Sequence, residues 1–190
     1  MSKAQEYASV GEAVGDCVLV VGTTAADRRE LQHPLYVLDR VANLIRKSVR
    51  KGRVALLFGS EKRGLSNEDL SHCHWLLRIP TREEHGSMNL GQAVAVCLYG
   101  LVREPSAKGM VERADKKSKE IEPATSAVLE RITDVLLEAL GASGYLNARS
   151  SLGAEEKVRR MVHRLELSAA DAELLLGMLR QMAWKMGKNG

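Results

Sequence analysis

The sequence predicts an α/β fold with a parallel sheet, followed by a small all-α C-terminal unit. Three observations predict it. Short apolar runs at residues 17–21, 54–58 and 75–79 are rich in Val, Leu, Ile or aromatics and are bounded by Gly, Pro or polar residues. That is the pattern of strands buried on both faces. Helical periodicities lie between and after these runs, as the connections of a parallel sheet require. Beyond Pro123 the periodicity is helical only.

Each element follows from its residues. The first strand is CVLVV at 17–21. Leu35, Leu38, Val41, Leu44 or Ile45, and Val49 then recur at helical spacing, and Pro34 suits a first turn, so a helix is expected over 34–50. VALLF at 54–58 is the second strand. Ser66 and Asp69 have capping-box spacing and open one short helical turn. The third strand is WLLRI at 75–79. From Asn89 to Val102, Leu90, Ala93, Val94, Cys97, Leu98 and Leu101 make a helix apolar over most of its surface, which is expected to be buried.

Residues 105–122 are dense in charge, have no face able to bury itself, and read as a linker. After it, Val128, Ile132, Val135 or Leu136, and Leu140 form one helical stripe, ended by Gly141 and Gly144. Val158, Met161, Val162 and Leu165 form a second. Ser168 with Asp171 caps a third, in which Leu175, Met178, Leu179, Met182 and Met186 align. So small a unit has a thin core and is expected to dock on something. The organisation is therefore 1–104, an α/β domain; 105–122, a charged linker; and 123–190, a helical unit.

The chain has 190 residues, 45% of them hydrophobic and 27% charged, an ordinary globular balance. No apolar run approaches membrane-spanning length, and no export signal opens the chain. The three cysteines, Cys17, Cys73 and Cys97, each sit in an apolar run and read as buried reduced thiols of a cytoplasmic protein. The net charge is +4. Its excess concentrates at Arg40, Arg46, Lys47, Arg50, Lys51 and Arg53, with no acid within 40–53, and again at Arg149, Lys157, Arg159, Arg160 and Arg164. Such clusters suit a polyanion such as RNA. A solvated helix face explains them equally well from charge alone.

Two loops speak about chemistry. Phe58-Gly59-Ser60-Glu61 leads to Gly64-Leu65-Ser66, and Ile79-Pro80 leads to Ser87-Met88-Asn89-Leu90. Each hangs off a strand end and runs into a helix start, which is where an open α/β sheet places a small-molecule site. Gly59 and Gly64 have the glycine spacing of a nucleotide phosphate loop, but Leu65 stands where that loop needs lysine, so an ATP or GTP site is not expected. Taken alone, Glu61 reads as a capping or surface carboxylate, and Ser87 and Asn89 as helix caps. If His72-Cys73-His74 lay in a strand, the two histidines would share a face and the cysteine would point away. No second ligand pair lies nearby in the sequence, so no metal is expected. His85, beside Gly86 and Ser87, reads as a loop histidine.

Together these blocks resemble the TrmH branch of the SPOUT RNA methyltransferases, and most of all its TrmJ-type tRNA/rRNA ribose 2'-O-methyltransferases. Leu19-Val20-Val21-Gly22-Thr23-Thr24-Ala25 with Arg28 resembles a further block of that group. The likeness covers residues 10–104 well and 123–190 more loosely. It implies S-adenosyl-L-methionine as cofactor and a trefoil knot in which residues 79–90 thread the preceding loop. It also implies catalytic or orienting roles for Glu61, Ser87 and Asn89. The methyl-donor pocket would be lined by Thr23, Thr24, Ala25, Gly59, Ile79, Ser87, Met88 and Asn89. An RNA substrate would meet Arg46, Lys47, Arg50, Lys51 and Arg63. Members of the family pair as homodimers through the helix that matches residues 89–102.

One departure bears on activity. The family's early block, with an asparagine and a catalytic arginine on the first helix, has no counterpart here. The expectation is a chain that is N-terminally incomplete, or a protein that has lost part of its catalytic half and carries an abnormal sheet edge. A second reading follows from it: a non-catalytic RNA-binding or assembly module that retains the SPOUT fold.

Overall fold

The computed structural model describes residues 4–25, 33–81, 88–103, 121–146 and 153–187. Four strands, β1 (Cys17–Thr23), β2 (Leu35–Val37), β3 (Arg53–Leu57) and β4 (Trp75–Arg78), form one sheet in the order β2-β4-β1-β3. Every pairing is parallel. The α/β expectation holds, because apolar runs connected by helices can align only in parallel.

The sheet is covered on both faces. On one, α2 (Leu38–Val49) and α4 (Leu90–Val102) pack Leu38, Val41, Ile45 and Cys97 against Leu19, Val21 and Leu77. On the other, α1 (Val10–Val14) and α3 (Asn67–Ser71) bury Val14, Leu70 and Cys73 against Cys17, Val20 and Leu76. Cys17 and Val20 share a face although strict alternation would separate them. The register shift between Cys17 and Leu19 resolves this, since a bulge resets the pleat. The capping box at α3 is formed: Ser66 Oγ accepts from the Asp69 amide, and Asp69 Oδ2 accepts from the Ser66 amide.

Two local expectations are corrected. The helix expected over 34–50 is preceded by a strand: residues 35–37 form β2, and α2 begins only at Leu38. Pairing with β4 and the edge-to-face contact of Tyr36 with Trp75, centroids 5.3 Å apart, outweigh the helical spacing of Leu35. β4 starts at Trp75, as expected, so His72 and His74 precede it, and His72 is the C-cap of α3. The helix expected to be buried, α4, buries only Cys97, while Leu98, Tyr99 and Val102 are exposed in the single chain.

The C-terminal unit is three helices, α5 (Ser126–Ala142), α6 (Ala154–Arg164) and α7 (Ala169–Gly187), around Leu129, Ile132, Val162 and Leu176. As expected, it docks. Its support is the α/β domain of the same chain. Ser126 Oγ donates to the Cys17 carbonyl (3.2 Å), the Ala127 amide to the Gly15 carbonyl (2.8 Å), and Trp75 Nε1 to Glu166 Oε1 (2.7 Å). Ser168 caps α7 through the Asp171 amide at 3.0 Å. The linker residues 105–120 lie outside the described residues, as do residues 82–87, on which the knotted threading depends.

Candidate active site

Parallel strands all present their carboxyl ends at one edge, and here that edge is tied together by side chains. Thr23 Oγ1, at the end of β1, donates to the Leu57 carbonyl at the end of β3 (3.0 Å). The Thr24 amide donates to the Leu77 carbonyl of β4, also at 3.0 Å. The ends of the three adjacent strands β4, β1 and β3 are thereby held at one level.

The turn after β3 closes on itself. Ser60 and Gly64 form a bridge, the Gly64 amide donates to the Ser60 carbonyl (2.8 Å), and the Arg63 amide donates to Ser60 Oγ (3.2 Å). Gly64 has φ +67°, a left-handed conformation that favours glycine. Gly59 is constrained from another direction: a Cβ there would lie 2.0 Å from the Gly64 carbonyl carbon and 2.2 Å from the Leu65 nitrogen. The chain's own backbone fills that space, so the glycine is required by the turn before any ligand arrives.

Glu61 reaches from this turn to α4. Its Oε1 accepts from Asn89 Nδ2 (2.8 Å) and from the Leu90 amide (3.2 Å). Asn89 Oδ1 in turn accepts from the Gly91 and Gln92 amides at 2.9 and 3.4 Å, the N-cap of a thirteen-residue helix. A carboxylate at a helix N-terminus is also favoured by the helix dipole. Glu61 and Asn89, 28 residues apart, thus form one unit that fixes where α4 begins.

Of the other residues expected here, Thr23, Thr24, Gly59, Ile79 and Met88 are half-buried and Ala25 is exposed. Ser87 lies outside the described residues, as do Arg28, Arg29, His85 and Arg149.

The basic residues divide. Lys47, Arg50, Lys51 and Arg63 are exposed. Arg46 instead donates to the Leu101 and Arg103 carbonyls at 2.8 and 3.0 Å and to Asn43 Oδ1, so its guanidinium caps the C-terminus of α4. Arg159, grouped by sequence with the second basic cluster, is buried in ion pairs with Glu130 and Glu155. Neither role has a local signal, because the partners lie 29 to 57 residues away or depend on which side of a helix is buried.

The profile of the SpoU rRNA Methylase family matches residues 3–99, half of the chain. This chain belongs to that family. A Klebsiella pneumoniae protein named tRNA (cytidine/uridine-2'-O-)-methyltransferase TrmJ is 33% identical over 94% of this chain and 73% of its own length. A protein of the same name from Photorhabdus laumondii is 30% identical over 90% of this chain and 70% of its own. Among solved structures, TrmJ from Z. mobilis ZM4 superposes with a TM-score of 0.79 at 25% identity, covering 95% of this chain and 74% of that one. The SpoU profile spans the strand ends, the Gly59 turn and most of α4, so the site above lies inside the family's domain. The superposition also takes in the helical unit, since it covers nearly the whole chain.

Proposed function

We propose that this chain is an S-adenosyl-L-methionine-dependent RNA ribose 2'-O-methyltransferase acting on tRNA. Its membership of the SpoU family and its likeness to proteins named tRNA 2'-O-methyltransferases support the reaction class. The observation that carries the site is the Glu61–Asn89 unit at the carboxyl edge of β1, β3 and β4.

Thr23, Thr24, Ala25, Gly59, Ile79, Ser87, Met88 and Asn89 would hold the methyl donor. When bound, that donor supplies an electrophilic methyl group on a sulfonium centre. The ribose hydroxyl that accepts the methyl is a weak nucleophile at neutral pH and must lose its proton as attack develops. Glu61 Oε1 is occupied by Asn89 and the α4 backbone. Its role is positioning: it sets Asn89, and through it the floor on which donor and ribose meet. Exposed Lys47, Arg50, Lys51 and Arg63 would contact RNA phosphates, whereas Arg46 holds α4 in place.

Two copies would pair through α4, where Leu98, Tyr99 and Val102 are 52%, 69% and 82% exposed. Three large apolar side chains on one helix end are an interface signature. No helix among the described residues is long and apolar enough to cross a membrane.

The deciding experiment is methyl transfer from radiolabelled S-adenosyl-L-methionine to unmodified tRNA and rRNA, with the product mapped by resistance of the modified linkage to alkali. Ribose methylation of tRNA is expected. Salt-sensitive tRNA binding without incorporation would replace this reading with a non-catalytic RNA-binding module. Calorimetry with S-adenosylhomocysteine separates loss of donor binding from loss of chemistry.

A further inference from the structure

Four of the chain's five histidines meet where the helical unit docks on the α/β domain, around one carboxylate. Glu130 of α5 accepts on Oε1 from His72 Nδ1 (3.0 Å) and from His163 Nε2 (3.1 Å), and on Oε2 from Arg159 Nε (2.8 Å). His74 packs edge-to-face on His163, with centroids 4.8 Å apart. His33 completes the group, donating to the Leu70 backbone. His33, His72 and His74 belong to the α/β domain, while His163, Glu130 and Arg159 belong to the helical unit.

The hydrogen bonds fix which nitrogens carry protons. His163 donates through Nε2, and its Nδ1 is buried without a partner in a side chain 0% exposed. His74 Nδ1 accepts from the Val20 amide at 3.2 Å, so its single proton sits on Nε2. His33 donates with one nitrogen, and its Nε2 is buried without a partner. A second proton on His33 would therefore enter a buried site with no acceptor. On His74 it would displace a strand amide.

A metal ion does not fit this donor set. The Arg159 guanidinium already neutralises Glu130, and a metal on His163 Nε2 would force a proton onto the partnerless Nδ1.

We propose that this cluster is a pH-sensitive clasp: the helical unit stays docked while His33 and His74 are neutral, and releases from the α/β domain as they are protonated. The surrounding charges reinforce the direction. Facing His33 are Arg160 and Arg164, and facing His74 are His163 and His33. Burial above all, with the Arg160 and Arg164 guanidinium groups nearby, holds His33 at about 4, and burial above all holds His74 at about 3. His163 faces Glu130, His72 and His74. His72 lines a cleft with Glu68 and Asp69.

Because folding lowers the pKa of His33 and His74, their contribution is complete above the ordinary histidine value of about 6.5. It falls away as the pH drops from there towards 4 and 3. Glu130 is held below the usual carboxylate range: burial opposes its ionisation, but bonds from His163, His72 and Arg159 outweigh that. It remains ionised through the same window, so the histidines set the transition. Asp134 and Glu155 are the acids that face Arg159 at the seam, beside Glu130.

The structure supplies a reporter. Trp75 Nε1 bonds Glu166 across the seam, and the chain's other tryptophan, Trp184, is exposed on α7. In a W184F background, Trp75 fluorescence is expected to change between pH 6.5 and 4 while far-UV circular dichroism keeps its native amplitude. In H33N/H74N the midpoint is expected to move down by about one pH unit. An unchanged Trp75 signal to pH 4, a signal change that coincides with loss of dichroism, or an unshifted midpoint in H33N/H74N would each overturn the clasp. Should that variant not fold, proton NMR of the wild-type histidines decides. His33 and His74 titrating near 6.5 in the docked protein would overturn the proposal, and their titration together with undocking would uphold it.

Discussion

Glu61 Oε1 lies 2.8 Å from Asn89 Nδ2 and 3.2 Å from the Leu90 amide, so one carboxylate ties the turn after β3 to the first turn of α4. Elements at opposite ends of the site are thereby fixed relative to each other without any ligand. Glu61→Gln keeps an oxygen for both donors and is expected to keep the fold and much of the activity. Glu61→Ala removes both bonds and should lower methyl transfer by on the order of 10²-fold through misplacement. Asn89→Ala should also destabilise the protein by about 1 kcal/mol as a lost N-cap. Urea denaturation and single-turnover methyl transfer check both. Equal activity of Glu61→Ala and wild type would show that the link does not position the site.

The Gly59 turn makes a separable prediction. A ligand-filled space would make Gly59→Ala a binding defect in a stable protein. The backbone contacts at 2.0 and 2.2 Å require instead that Gly59→Ala lower the stability of the ligand-free protein, by roughly 1–3 kcal/mol. Thermal melting without S-adenosylmethionine distinguishes the two, and a wild-type melting curve for Gly59→Ala would refute the closed turn.

Arg46 and its neighbours on α2 are expected to part ways on mutation. Arg46→Ala leaves the Leu101 and Arg103 carbonyls without their donor and should reduce stability by about 1–2 kcal/mol. Arg50→Ala and Lys51→Ala, on exposed side chains, should leave melting unchanged. They should weaken tRNA binding and lower the salt slope by about one for each phosphate no longer neutralised. Salt-dependent binding isotherms beside denaturation curves test the division.

At α4 the exposure of Leu98 sharpens the expected outcome of Leu98→Glu. A side chain half exposed in the single chain can carry a charge without disturbing the core, so this variant should be a folded, soluble monomer beside a dimeric wild type. Size exclusion with light scattering reads the result. An unchanged mass for Leu98→Glu would remove α4 from the interface.

What the sequence determined is local. Runs of apolar residues bounded by turn formers placed β1, β3 and β4, because such runs are stable only inside a covered parallel sheet. Ser66 with Asp69, Asn89 and Ser168 marked helix starts, because a cap needs only residues within one turn. The Gly59–Gly64 turn and the Asn89 helix start were legible for the same reason, although the bond between Glu61 and Asn89 was not.

The tertiary structure decided whatever depends on a partner far along the chain. Residues 35–37 became β2 because β4 was there to pair with them, against their own helical spacing. Arg46 and Arg159 left the basic surface because a helix C-terminus and a buried glutamate claimed them. His72 and His74 lie two positions apart in the sequence. Folding placed one at a helix end, bonded to Glu130, and the other beside β1, bonded to the Val20 amide and packed on His163. Charge and hydrogen bonding act over a few ångströms in space, so their partners are settled only when the chain has brought distant residues together.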